Sequence, residues 1–429
     1  MKRDYATTFI TEGFVIACYL LAFRLVASSM GTAGFGEYSL SRRTLSLLLP
    51  LGVLGLDVGI ARYVSYAAAE KSPRSAAYAP GGLLIMFAGV GIVSAVLLLF
   101  SRFWAQLFFG SSIYNDLVLA MPVVLLGGAL HVVAYGYLRG LTKIQWANLL
   151  MAINQGLMPL LAIKFFGHSV AQIMAAIGVG WIVVSLVPLA RLPMSFTQVP
   201  ARIRELARFG VPRVPGDFIQ LTLFAMPSLL VAHTADIKVA GIVAFGVAAL
   251  SMVGSGLTPI SFVLLPAASR MFAAGNLARL RRQIMEVGGL TFAGTVFAVA
   301  FFEVFATPIV SAYLGPSFAP GVSVLRLTLI GAVPWGIYIT HRSVIDAGHV
   351  FPMNARNMLI SFGGFVVALL ILNTFTNPNT AAVLAFDAAL YVLAILTLFD
   401  VYLITSPSRA RKPAPPLIEA DASLSGGPG

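Results

Sequence analysis

The sequence predicts an all-α polytopic membrane protein of about twelve transmembrane helices, arranged as two pseudo-symmetric six-helix bundles around a central cavity. Three observations carry this expectation. Charged residues are 10% of the chain and the hydrophobic set is 59%, whereas a soluble domain has roughly a quarter charged residues and under half apolar ones. Mean hydropathy is +0.90, which is more apolar surface than one core hides from water; a bilayer removes the problem. Finally, charge-poor runs of about 20 residues, the length that spans a bilayer, recur along the chain between glycine, proline and charge clusters.

In order, the runs fall at 9–29, 44–66, 80–100, 117–138, 146–166, 171–190, 210–232, 239–263, 287–307, 321–341, 355–375 and 381–403. The first is long and followed by many others, so it reads as a span and not as a cleavable signal peptide. Cys18 stands alone within it, which excludes disulfides and thiolate metal sites. The five histidines have no ligand spacing, and no cofactor is implied. Residues 405–429, with Lys412-Pro413-Ala414-Pro415-Pro416 followed by Ser, Gly and Pro, are too poor in apolar surface to order themselves and are expected to form a disordered cytoplasmic tail.

The net charge of +12 is first an orientation signal, not a nucleic-acid footprint. Alternate connections, counted from the N-terminus, hold 19 Lys and Arg on one side against 5 on the other. That bias places both termini of a multi-pass protein in the cytoplasm. Arg42 and Arg43, assigned to the outer connection, run against the rule.

The longest and most basic connection, about 191–209, divides the spans six and six. The expected organisation is therefore an N-terminal lobe 1–195, a basic linker 196–209 and a C-terminal lobe 210–404. In the linker, Ile203, Leu206 and Ala207 share a helical face while Arg202, Arg204, Glu205 and Arg208 lie off it. Residues 276–286, with Asn276 as a candidate N-cap, have the same pattern. Both read equally as interfacial helices on an anionic surface and as plain positive-inside charge. Correspondence between the halves is faint: Gly140 to Gly156 lies on Gly348 to Gly364 at an offset of 208, and Ala33-Gly34-Phe35-Gly36 resembles Ala240-Gly241. With an even number of spans per half, the repeats are parallel and their axis runs along the membrane normal.

Charge inside spans is the sharper signal, because a mid-helix Arg costs about 2.5–3.5 kcal/mol on insertion scales. Arg24 shares a face with Gly13 and Ala17, which suits a bundle interior. Arg326 lies at similar depth in the tenth span. Either reads as a substrate-attracting charge, as a snorkelling side chain, or as a structural partner such as Arg326 with Glu303. Asp57 and Arg62 close the second span; Arg213 and Asp217, at i and i+4, open the seventh. The latter two read as a local ion pair capping a Pro-broken helix or as a gate or coupling site. His131 reads as a hydrogen-bonded packing residue before a proton carrier. No outward loop is long enough for a catalytic domain, and there is no P-loop or Ser/His/Asp spacing. The chain is expected to be a transporter, not an enzyme.

The Gly34-Phe35-Gly36-Glu37-Tyr38-Ser39 segment, Gly55-Leu56-Asp57 to Arg62-Tyr63, Phe209 to Phe218, and Ala312-Tyr313-Leu314-Gly315-Pro316-Ser317-Phe318 together resemble the oligosaccharide (O-antigen/polysaccharide type) flippase family of the multidrug/oligosaccharidyl-lipid/polysaccharide exporter superfamily. The resemblance extends to about residue 405. It implies flipping of a polyprenyl-diphosphate-linked oligosaccharide from the cytoplasmic to the outer leaflet by alternating access of two lobes, for exopolysaccharide or lipopolysaccharide O-antigen synthesis. Its partners are then the lipid-linked oligosaccharide, membrane lipids, and the polysaccharide polymerase and glycosyltransferases that handle the cargo; nucleic acid is not among them. Many relatives have fourteen spans, and twelve leaves no extra pair for the lipid tail. A diphosphate head suits Arg in a low-dielectric cavity, so Arg24, Arg326, Arg42 and Arg43 are the candidate substrate-binding residues. Asp57, Arg62, Arg213, Asp217 and His131 are the gate or coupling candidates. The competing readings are a cation-coupled small-molecule extruder, which requires acidic residues deep in the cavity, and a membrane polysaccharide polymerase or ligase, which requires a large external loop.

Overall fold

A computed structural model describes residues 2–70, 72–349 and 352–406, and those residues fold as helices and connecting turns with no strand among them. The helix α1 (Lys2–Val53) is two arms folded at Gly31, whose φ of 64° and ψ of −163° lie where only glycine sits without strain. Tyr19 lies against Arg42 and Phe23 against Tyr38, a pairing produced by an antiparallel hairpin turning near residue 31. The second span therefore begins directly after the turn, not at residue 44. Arg42 and Arg43 lie inside it, so their assignment to an outer connection is corrected. Residues 32–43 resemble a loop because their glycines and charges face protein. After Pro50 the second arm breaks at Leu54 and Gly55, both with positive φ, and resumes as α2 (Leu56–Ala69).

The first bundle continues with α3 (Ser75–Leu99), the short α4 (Ser101–Phe109) and α5 (Asn115–Gly140). Its fifth span is interrupted: α6 (Ile144–Met151) and α7 (Met158–Phe166) flank a π-helical turn at Ala152–Leu157. The bundle closes with α8 (Val170–Arg191). A connecting helix α9 (Val199–Gly210) leads to α10 (Val214–Thr234), α11 (Ile237–Ala273), α12 (Leu277–Tyr313), α13 (Val322–Ile330), α14 (Ala332–Gly348), α15 (Met353–Leu372) and α16 (Pro378–Thr405). Eleven helical segments among the described residues are long and apolar enough to cross a membrane. Since the first of them holds both arms of α1, there are twelve crossings. Each bundle packs its fourth span on its sixth, α5 on α8 and α14 on α16, as a sixfold-plus-sixfold repeat requires. The bundles meet chiefly where α1 packs on α11.

The N-terminus, α9 and the end of α16 share one end of the molecule, here the basic end; Gly31 and Tyr313 mark the far end. The helix α9 buries Val199 and Leu206 against the first bundle. It also buries Arg202, whose guanidinium donates to Glu205 Oε2 at 2.8 Å and to Tyr78 Oη at 3.0 Å. Residues 276–286 do not form a separate interfacial helix. Asn276 does accept the Arg279 N–H at 3.2 Å as an N-cap, but no breaker follows, and an Arg282–Glu286 pair at 2.8 Å carries the helix straight into α12. Of the tail expected to be disordered, residues 407–429 lie outside the described residues.

Candidate functional site: a cationic cavity between the bundles

A cavity of ≈ 610 Å³ lies between the bundles. Its charged lining comes from the first bundle alone: Glu12, Arg42, Arg43 and Arg139. The second bundle contributes Ala244, Ala248, Ser251, Met252 and Ser255 from α11. Arg42 is eleven residues past Gly31, roughly 16 Å along a helix rising 1.5 Å per residue, about half the depth of a hydrocarbon core. Glu12 and Arg139 lie toward the basic end, so the cavity runs from mid-membrane toward that end.

The arginine pair is held in different ways. Arg42 stacks 4.0 Å from the centroid of Tyr19 and donates to Tyr38 Oη at 3.3 Å. Tyr19 is positioned by donating to Gln155 Oε1 at 2.7 Å, and Gln155 sits on the π-helical turn, which swings its side chain into the cavity wall. Arg43 Nε is buried without a partner, as is the hydroxyl oxygen of Ser39 in the same lining. Two adjacent cations and unused donors in a low-dielectric wall make a site that favours an anion with several acceptor oxygens.

His131 lines the same cavity, and its Nδ1 lies 3.0 Å from Asn154 Nδ2. Asn154, also on the π-helical turn, donates to Ser185 Oγ at 2.9 Å and accepts from Trp181 Nε1 through its backbone carbonyl. The histidine is thus a packed, hydrogen-bonded wall residue.

Above Arg42 the far end is shut. Phe23 and Phe35 of the first bundle meet Phe245 of the second at ring-centroid distances of 5.1 and 5.6 Å, and Phe35 meets Phe318 at 5.0 Å. Such aromatic contacts each contribute about 0.5–1.5 kcal/mol beyond burial. Gly36 touches α11 backbone to backbone: a Cβ there would lie 2.2 Å from the Ile237 carbonyl oxygen, and one on Gly241 would lie 2.2 Å from Gly36 Cα. Arg24 is exposed and stands outside the cavity lining, not in the bundle interior. Its Nη1 donates to the carbonyls of Ala312 and Tyr313 at 2.7 and 2.8 Å, at the C-terminus of α12 where a cation complements the helix dipole. Its first arm runs on to Gly31, which carries Arg24 past the cavity to the far rim. Tyr313 returns a hydrogen bond to the Leu20 carbonyl. Arg326 also stands outside the cavity lining and faces Glu303 at 3.7 Å.

At the basic end, Asp57 of the first bundle lies within electrostatic reach of Asp217, together with Arg213 and Arg342. Arg213 forms no ion pair within 4 Å with Asp217; its guanidinium lies 3.6 Å from the centroid of Phe209. Arg62 stacks on the same ring at 5.0 Å. The ring therefore joins a cation from each bundle at the junction of the two, where Gly210 passes so close to Leu54 that a Cβ would lie 2.1 Å from its carbonyl oxygen. Glu12, Tyr19 and Gln155 escape a sequence reading based on Lys and Arg, and Arg139 enters it only as a connection charge. The available signals are a lone carboxylate in the first apolar run and a glutamine beside Gly156 in the fifth.

The family model for polysaccharide biosynthesis protein matches residues 7–272. No curated protein matches significantly. Among solved structures, an inward-facing multidrug resistance MATE family transporter of the MOP superfamily is similar over 92% of this chain and 96% of its own, at 16% identity and a TM-score of 0.75. The outward-facing conformation of such a transporter aligns over 96% and 97%, at 16% identity and a TM-score of 0.65. A MOP superfamily transporter from Pyrococcus furiosus, described as having a binding pocket of reverse polarity that suggests a different function, aligns over 96% and 97%, at 16% identity and a TM-score of 0.64.

Proposed function

The chain belongs to the polysaccharide biosynthesis protein family, and from that membership we propose that it flips a polyprenyl-diphosphate-linked oligosaccharide between leaflets by alternating access. The observation that carries this reading is Arg42 beside Arg43 on the cavity wall at mid-membrane. An anionic head entering from the basic end meets Arg139 first and the arginine pair at the blind end, with the aromatic seal beyond. In this reading the basic end is cytoplasmic, the membrane is the inner one, and the lobes 1–195 and 210–404 rock about the linker. The enzymes that build and polymerise the glycan are its expected partners.

Asp57 of the first bundle and Asp217 of the second repel at the basic end, and Arg213 and Arg342 near Asp217 supply the counter-charge; this cluster is the candidate gate or coupling site. A cationic-drug extruder would instead need its carboxylates where the two arginines stand. The test is reconstitution of the full chain in liposomes with a fluorescent polyprenyl-diphosphate oligosaccharide. Transfer between leaflets that is lost in Arg42→Gln/Arg43→Gln supports the reading. Transfer indifferent to both arginines, or export of cationic dyes in its place, overturns it.

A further inference from the structure

The helices α11 and α12 are consecutive and antiparallel, yet they touch only sparsely along their length. Between them, in the half of the membrane toward the basic end, lies a second cavity of ≈ 710 Å³. Its lining carries no charged residue. Aliphatic side chains, glycine and proline make most of it, and Gln283 is the single amide, placed near the end of the groove closest to the basic surface. The hydroxyl of Thr295 is turned onto its own helix, donating to the Thr291 carbonyl at 2.9 Å, so the wall is apolar there as well. A Cβ on Gly256 or on Gly294 would meet nothing within 4 Å; the glycines border open space, not a tight helix crossing. Leu290 on the rim is 78% exposed, and the groove is open sideways to the membrane.

Its position relative to the cationic cavity identifies the occupant. Met252 and Ser255 of α11 face that cavity, while Val253 and Gly256, one residue and so about 100° further round the helix, face the groove. The two spaces are thus neighbours sharing one turn of α11, one suited to an anion and the other to a hydrocarbon. A molecule filling both has a polyanionic head joined to a long apolar chain. We propose that the groove between α11 and α12 holds the isoprenoid chain of the lipid-linked substrate while its diphosphate rests at Arg42 and Arg43. The assignment rests on the flippase reading. It gives the chain a path within a twelve-span protein, along the leaflet from which the cargo is loaded.

The test uses the full chain in liposomes with two probes carrying a diazirine near the middle of the chain, a polyprenyl diphosphate and a phosphatidylglycerol. The polyprenyl probe is expected to label peptides within 253–264 and 283–298, with labelling reduced about tenfold in Arg42→Gln/Arg43→Gln. Labelling by phosphatidylglycerol should not change in that variant. Gly294→Leu and Gly256→Leu, which fill the groove without meeting backbone, should slow flipping about tenfold while binding of the short-chain isopentenyl diphosphate in the cavity stays at the wild-type level. Wild-type flipping in both filled variants, or equal labelling by both probes irrespective of the arginines, overturns the groove and leaves the flippase reading standing. Absence of both flipping and isopentenyl diphosphate binding in the wild type is the separate outcome that removes the flippase reading, and the groove's occupant with it.

Discussion

Gly36 and Gly241 lie in backbone contact across the bundle interface, each so close to the other helix that a Cβ would come within 2.2 Å of it. They sit at equivalent places in the two halves, just past the start of the second and eighth spans, and elements near a pseudo-twofold axis must meet in this way. The contact closes the far end. Gly36→Leu and Gly241→Leu should therefore fold and insert but fail to close. A single Cys at Ala248, in a Cys18→Ala background, should become reactive to an impermeant thiol reagent from the far side, and transport should fall by at least roughly tenfold. Unchanged far-side protection would refute the role of this contact.

The arginine pair should separate charge from geometry. Losing a charge-assisted hydrogen bond costs about 1.5–3 kcal/mol, so Arg42→Gln or Arg43→Gln is expected to weaken diphosphate binding roughly 10–100-fold. Lys at either position should restore part of it, since Lys keeps the charge without the planar fork. Titration with isopentenyl diphosphate measures this directly; full restoration by Lys would mean that charge alone matters.

Arg24 is expected to set the balance between conformations, not affinity. Arg24→Ala removes two charge-assisted donors to the end of α12, so the far-side reactivity of the same Cys at Ala248 should rise while diphosphate affinity per open-inward molecule is kept. A drop in intrinsic affinity with unchanged reactivity would return Arg24 to the binding site.

At the junction of the bundles, Phe209 lies against both Arg62 and Arg213. Each cation–π contact contributes about 0.5–1 kcal/mol when partly exposed. Phe209→Leu should reproduce the combined effect of Arg62→Ala and Arg213→Ala on transport, and Asp217→Ala should not rescue Arg213→Ala. Rescue by Asp217→Ala would restore the direct ion pair that the i, i+4 spacing suggests.

Two charges crossing with a cytoplasm-negative potential gain about 4–5 kcal/mol per 100 mV. Flipping in liposomes with the basic end inside should accelerate as the lumen is made negative by a potassium gradient and valinomycin. A rate flat in voltage would show that the head crosses neutralised.

The apolar spans and their two bundles were legible because burial in lipid demands long apolar runs whose ends are marked by charge. Arg326 faces Glu303 at 3.7 Å, the structural pairing that its depth left open beside a role in substrate binding. The start of the second span was not legible. Glu37, Arg42 and Arg43 make 32–43 look like a wet loop, and only the packing of both arms of α1 on α11 shows that this polarity is turned inward. Arg24 misled for the complementary reason: its face matched Gly13 and Ala17, but nothing in one strip of sequence says where α12 ends. The π-helical turn at Ala152–Leu157, which presents both Asn154 and Gln155, has no periodicity to announce it.

All the ionised groups lining the central cavity belong to the first bundle, and its opposite wall offers only methyls, hydroxyls and a thioether. In the proposed flippase the anionic head is therefore moored on one half of the molecule while its chain lies along the other, so head and chain are tethered across the seam that the rocking lobes must open. Exchanging the first half between related exporters should therefore transplant the choice of head group and leave the preference for the chain with the second half.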